Sequence, residues 1–337
     1  MRDLAALPKG HLHVHLEGAM RPASLEEMAA AAGIPVPTIR GFGSFGVFAE
    51  MYVAACEVLR SDDDLRRLVD EVVADAAAAG AVWIEPGVYL PHHRERLGPP
   101  EHVLEVILDE LAVAGARHGV GTGLMVSADR TLDPADAVEQ ARLAVRYAAQ
   151  GVVAFGLAND EVGFPPELFV EAYAVARAGG LLSTPHAGEL DGPERVRGAL
   201  VALGADRIQH GVRAVEDPAV VELVADSGVC LDVCPSSNLL LAVVPSLDEH
   251  PLPALLAAGI PCSLNADDPL LFGPGLLEEY ELARTGLGLD DEALAGIARA
   301  SVTHSGAPDA CKAAALARID AWLTAEPTPT ASRCQAP

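Results

Sequence analysis

With 337 residues, 50% of them apolar and 21% charged, the chain has ample material for a large core, which argues against general disorder. Its formal net charge of −25 would repel nucleic acid and anionic membranes, so neither is expected as a partner. The start, MRDLAALPKGHLHVHLEG, holds no apolar run of signal-peptide length and no later stretch reads as a membrane span; with six cysteines lacking a paired spacing, this predicts a cytoplasmic chain with reduced thiols.

The first strand is expected at 10–16, where His11-Leu12-His13-Val14-His15 alternates imidazole with aliphatic side chains. A period of two puts the three histidines on one face and Leu12 and Val14 on the other. An insertion at 34–60 follows, carrying Phe42, Phe45, Phe48, Met51 and Tyr52 in a chain with few aromatics. It reads equally as a lid over a pocket and as an amphipathic helix facing the core. The helix expected at 61–79 opens on Ser61 and an acidic first turn, and leads to a strand at 81–90. Helix 101–118, strand 120–127, helix 133–149 with Asp133-Pro134 at its start, strand 151–158 and helix 165–179 continue the alternation. Strand 181–186, helix 192–204, strand 206–210, helix 216–227, strand 228–234, helix 248–258 and strand 260–265 complete it. Eight such alternations predict an α/β chain that is either a closed (β/α)8 barrel or an open doubly wound sheet. One domain is expected over 1–324, with 325–337 as a disordered tail.

Polar outliers collect at the ends of the later strands. The fifth ends in Thr184-Pro185-His186-Ala187-Gly188-Glu189, the sixth in Ile208-Gln209-His210-Gly211, and the eighth in Ser263-Leu264-Asn265-Ala266-Asp267-Asp268-Pro269. Taken singly, His186 or His210 reads as a hydrogen-bonded core histidine and Asp267-Asp268-Pro269 as a turn. Taken jointly, at one register of several strands, they converge on a single mouth only if the strands close, which favours the barrel. Two histidines of strand one, a third from strand five and a carboxylate from strand eight would give zinc three nitrogens and one oxygen, with room for water. Cys230 and Cys234 read better as buried thiols than as ligands.

Together, HLHVHLEGA, STPHAGE, RIQHG, DVCPSSNLLL and SLNADDP, in this order, resemble the adenosine deaminase family of the amidohydrolase superfamily, over about residues 8–320. The resemblance implies a TIM barrel with a helical insertion after strand one and a single Zn2+ per subunit on His13, His15, His186 and Asp267. It implies hydrolytic deamination of adenosine or deoxyadenosine. Glu189 would protonate the purine ring nitrogen, and His210 would orient the attacking water and accept its proton. Asp268 would hold the imidazole-ring nitrogen of the purine, and Glu17 would meet the sugar hydroxyl or its surroundings; with His15 and Asn159 these complete the expected substrate contacts. A small-molecule purine and, at most, further copies of the chain are the partners implied. Glu17 stands where members acting on adenosine usually carry aspartate, and Asn159 where they carry a glycine facing the purine edge; strand two lacks an arginine common there, which leaves Glu85 without a role. These departures open a second reading, deamination of free adenine, 6-aminodeoxyfutalosine or a modified adenine. The zinc deaminases of flipped bases require a P-C-x-x-C that is missing here. A catalytically dead purine-binding member would have lost Glu189, His210 or a ligand, and all are present.

Overall fold

A computed structural model, describing residues 1–326, arranges the chain as a (β/α)8 barrel. Its parallel strands are β1 (Lys9–His15), β2 (Ala81–Val88), β3 (Leu124–Asp129), β4 (Val152–Ala158), β5 (Leu182–Ala187), β6 (Arg207–His210), β7 (Cys230–Val233) and β8 (Cys262–Leu264). Each pairs with the next in chain order. The third predicted strand is interrupted: Gly121–Thr122 pairs with β2 ahead of β3. Between β1 and β2 lie α1 (Pro22–Ala32), α2 (Phe45–Cys56) and α3 (Asp62–Ala78). The remaining longer helices are α4 (Pro100–His118), α5 (Pro134–Arg146), α6 (Val170–Ala178), α7 (Pro193–Val201), α8 (Pro218–Ser227), α9 (Pro235–Leu240), α10 (Leu252–Ala257), α11 (Leu276–Thr285), α12 (Asp291–Thr303) and α13 (Asp309–Thr324).

The helix starts follow their caps. The Ser61 hydroxyl accepts the Asp64 N–H at the head of α3, where Asp62, Asp63 and Asp64 complement the helix dipole, and Leu65, Leu68, Val69, Val72 and Val73 form its buried face. Asp133 caps α5 by accepting from the Ala135 N–H, with Pro134 in the first turn. Among the described residues no helix is long and apolar enough to cross a membrane. Cys56, Cys230, Cys234, Cys262 and Cys311 are free thiols. Most of the expected tail, from residue 327 and including Cys334, lies outside the described residues.

β1 departs from simple alternation. It pairs His11 with Ile84 but Val14 with Pro86, three steps against two, so a bulge falls between them. The expected common face of three histidines therefore fails for His11, which lines, with Val14, a cavity beside α1 and α3. Leu12 packs instead with Trp83 and Ala307, while His13 and His15 reach the barrel mouth.

The barrel closes between β8 and β1 through one bridge rather than a ladder. The His15 N–H donates to the Asp267 carbonyl at 3.0 Å and the Asp267 N–H to that of His13 at 3.1 Å. Deeper in, the Asn265 carboxamide oxygen accepts from the N–H groups of Leu12 and His13 at 2.7 and 3.1 Å. The barrel also buries a charged network. Arg207 donates to Asp232 at 2.9 Å, to Glu85 at 2.6 Å and to the His304 carbonyl at 2.8 Å, and all three charged side chains are fully buried. Glu85, without a role from sequence, is thus the partner of a buried arginine.

Candidate active site

Strand ends deliver the ionisable groups to one place. Nε2 of His13 and Nε2 of His15 each lie 3.3 Å from Asp267 Oδ1, and His13 Nε2 lies 3.1 Å from His186 Nε2. His210 Nε2 is 3.4 Å from Glu189 Oε1 and 3.7 Å from Asp267 Oδ2. Backbone strain accompanies this convergence: Asn159, His210 and Asp267 have φ of 78°, 66° and 58°. Side chains rarely adopt that left-handed region, at a cost of about 1–3 kcal/mol each, and such strain clusters where a site needs a side chain re-aimed. Gly18 serves a different need. A Cβ there would fall 1.7 Å from Asp268 Oδ1, so glycine lets this carboxylate lie against the backbone.

Burial and the surrounding imidazoles push His186 well below its ordinary pKa, and burial with His13 brings His210 down to about 3, so both rings are neutral. Burial and Asp267 push Glu189 and Asp268 well up, which favours their protonated, donating forms.

The donor set suits a metal ion. His13 Nδ1 faces the Asp232 carbonyl at 3.1 Å and His186 Nδ1 that of Leu157 at 3.0 Å. A carbonyl only accepts, so both rings carry their proton on Nδ1 and aim bare Nε2 lone pairs at each other across 3.1 Å. Two lone pairs at that distance repel, and a cation among them removes the conflict; carbonyl-anchored imidazoles with one carboxylate are a zinc-type set. His13, His186, His210 and Asp267 all present donor atoms within 4.8 Å of one another, as do His15, Asp267 and Asp268. Cys234 Sγ sits 3.4 Å from His13 Nδ1, on the side of the ring away from this cluster, as expected of a buried thiol.

The site opens into a cavity of about 120 Å3. Phe45, Phe48 and Tyr52 of α2 wall it, and Phe48 also packs on Phe42 and Phe272, so the insertion is both cover and core. Asn159 lines it with a backbone turned as a glycine would turn, and its side chain donates to Asp129 at 2.9 Å. Glu17 is not brought to the wall. Its carboxylate is buried, taken by the Tyr52 hydroxyl at 2.7 Å and by His93 Nε2, and these bonds outweigh burial to bring its pKa to about 2.

Several positioning groups escaped the sequence reading. Glu161 accepts the backbone N–H groups of Gly188, Glu189, Leu190 and Asp191 at 2.7–3.1 Å, fixing the loop that carries Glu189. Arg130 donates to the His186 carbonyl at 2.8 Å. Asn238 lies against His210, and His250 behind Asn238. Asn238 falls within DVCPSSNLLL, but its role depends on His210 and His250 and not on that motif; Glu161 and Arg130 likewise act on a distant segment, the chain around 186–191.

Residues 8–322 match the family described as adenosine deaminase. A Streptomyces virginiae protein provisionally named adenosine/adenine deaminase is 44% identical, the match covering 96% of this chain and 98% of the relative. An adenine deaminase crystal structure from Arthrobacter aurescens superposes with a TM-score of 0.88 at 31% identity, over 94% of this chain and 99% of that one. An amidohydrolase from Burkholderia ambifaria, solved with bound Zn, superposes at 0.87 and 29% identity, over 95% and 92%.

Proposed function

The chain belongs to the adenosine deaminase family, and from that premise we propose that it hydrolytically removes ammonia from the six-position of an adenine-type compound, with free adenine ahead of adenosine. One observation carries the reaction: a Glu189 carboxyl held in its donating form faces the imidazole–carboxylate cluster across one cavity, with His210 Nε2 3.4 Å from one and 3.7 Å from the other. Zinc held by His13, His15, His186 and Asp267 would supply a Lewis acid able to bring the pKa of a water to about 7. Glu189 then donates to the ring nitrogen beside the amino-bearing carbon, while His210 orients the attacking water. Asp268, which lines the cavity and which burial and Asp267 keep in its donating form, donates to the imidazole-ring nitrogen of the purine. The water oxygen bonds to the amino-bearing carbon, one of its protons restores Glu189 and the other passes to the amine, the C–N bond breaks to release ammonia, and an oxo group replaces the amine.

The order of substrates rests on the far end of the cavity. Both oxygens of Glu17 are engaged by Tyr52 and His93, which removes the sugar acceptor implied by the family pattern and demotes the first expectation, adenosine. Among the described residues no lysine or arginine lines the cavity, which disfavours a phosphate-bearing substrate. One preparation assayed on adenine, adenosine, aminodeoxyfutalosine and AMP tests this: adenine is expected to show the highest kcat/KM and AMP the lowest. Adenosine turning over better than adenine would reverse the order, and no ammonia from any of the four would remove the function.

A further inference from the structure

His210 presents a difficulty that its neighbours resolve. It lies as close to the cluster as the histidines assigned to the metal, grouping with His13, His186 and Asp267, yet the proposed reaction needs it free. The difference lies behind the ring. The Leu252 N–H, at the head of α10, donates to His250 Nδ1 at 3.1 Å. A backbone N–H can only donate, so this Nδ1 is a lone pair, and a neutral His250 carries its proton on Nε2. That Nε2 faces Asn238 Oδ1 at 3.3 Å, which fixes the carboxamide with its oxygen toward His250. The other end, Nδ2, then donates to His210 Nδ1 at 3.2 Å. All three side chains are buried, and burial alone lowers the pKa of His250 to about 4, so no solvent proton rewrites the sequence of donors.

We propose that Leu252, His250 and Asn238 form a one-directional hydrogen-bond relay that keeps the proton of His210 on Nε2, making Asn238 and His250 positioning residues for the reaction. His13 and His186 have Nδ1 on carbonyl oxygens and so offer Nε2 lone pairs; His210 has Nδ1 on a carboxamide nitrogen and so offers an Nε2–H. The same ring type is sorted into ligand and donor by what touches its rear atom. His210 is thereby excluded from the metal set despite its proximity, and it meets the attacking water by donating to the oxygen rather than by taking a proton. This extends the proposed function, yet its main readout does not depend on turnover.

The test is nitrogen NMR of protein carrying 15N-histidine, recorded zinc-free and zinc-loaded, on the wild type, Asn238→Asp and His250→Phe. In the wild type, His210 is expected to be protonated on Nε2, and His13 and His186 on Nδ1. Asn238→Asp replaces the donor by an acceptor and is expected to move the His210 proton to Nδ1. His250→Phe frees the carboxamide to turn and is expected to leave His210 as a mixture of tautomers. In parallel, kcat of Asn238→Asp should fall by about tenfold or more with KM within about threefold and one metal still bound, the split that marks loss of an interaction made in the transition state. A wild-type His210 protonated on Nδ1, or a tautomer unchanged in both variants, overturns the relay. Should Asn238→Asp not fold, the wild-type spectrum and His250→Phe decide alone. A protein without deaminase activity whose spectra follow this pattern would defeat the proposed function and keep the relay.

Discussion

The barrel holds two buried polar regions, and they are built on opposite principles. Around Arg207 every hydrogen-bonding atom of the charged groups is matched: Glu85 takes Arg207, the Trp83 indole N–H and the Gly306 N–H, and Asp232 takes Arg207 and the Ser263 hydroxyl. At the mouth, lone pairs oppose one another, and two carboxyls are pushed up by burial and by a third. A satisfied network leaves nothing over for a ligand and serves the architecture, whereas unmatched groups facing a cavity are what a metal and a substrate can complete. The two regions are joined through Asp232, whose carboxylate belongs to the first and whose carbonyl anchors His13 in the second.

The contrast can be broken by substitution. Arg207→Met leaves Glu85 and Asp232 buried and unpaired, and should destabilise the fold by about 3–5 kcal/mol in urea unfolding. A loss near zero would show that this network is not holding the barrel. Glu189→Gln should do the reverse, lowering kcat by about 10²-fold with the urea midpoint and zinc content unchanged, since it removes a positioned proton donor and no packing. If the variant loses its metal, the assignment of ligands is wrong. The third effect, smallest when read per pH unit, concerns Glu279 of α11, fully buried beside the Ser236 N–H, whose carboxyl burial raises to about 8 from an ordinary 4.5. Between those values the folded state keeps a proton that the unfolded state releases, so stability should fall as pH rises through the window, at a slope of up to about 1.4 kcal/mol per pH unit. Glu279→Gln should flatten that slope; unfolding curves at pH 5, 6, 7 and 8 that remain parallel in the two proteins would contradict it.

Local patterns made much of this legible. Period-two runs and helix caps marked the strands and helices, and the polar ends of strands five, six and eight marked the mouth, because a parallel barrel places those ends together by construction. The bulge in β1 was invisible, since it is a property of pairing with β2 and not of His11-Leu12-His13 itself. Glu17 was read from its motif, but its engagement depends on Tyr52 and His93, which arrive from α2 and from the segment after β2. Arg207 stood in plain view two residues after Ala205, in RIQHG, yet only His210 was taken from that motif, because a buried arginine acquires meaning only with its partners.

Asp267 joins the ends of the ring with its main chain and brings its side chain to the histidine cluster. The seam is therefore indifferent to the carboxylate: asparagine, which tolerates the same left-handed backbone, would keep both main-chain bonds and the vessel they close. Descendants of such a chain could shed the chemistry in a single step and still inherit a folded purine-shaped chamber, ready for other duties.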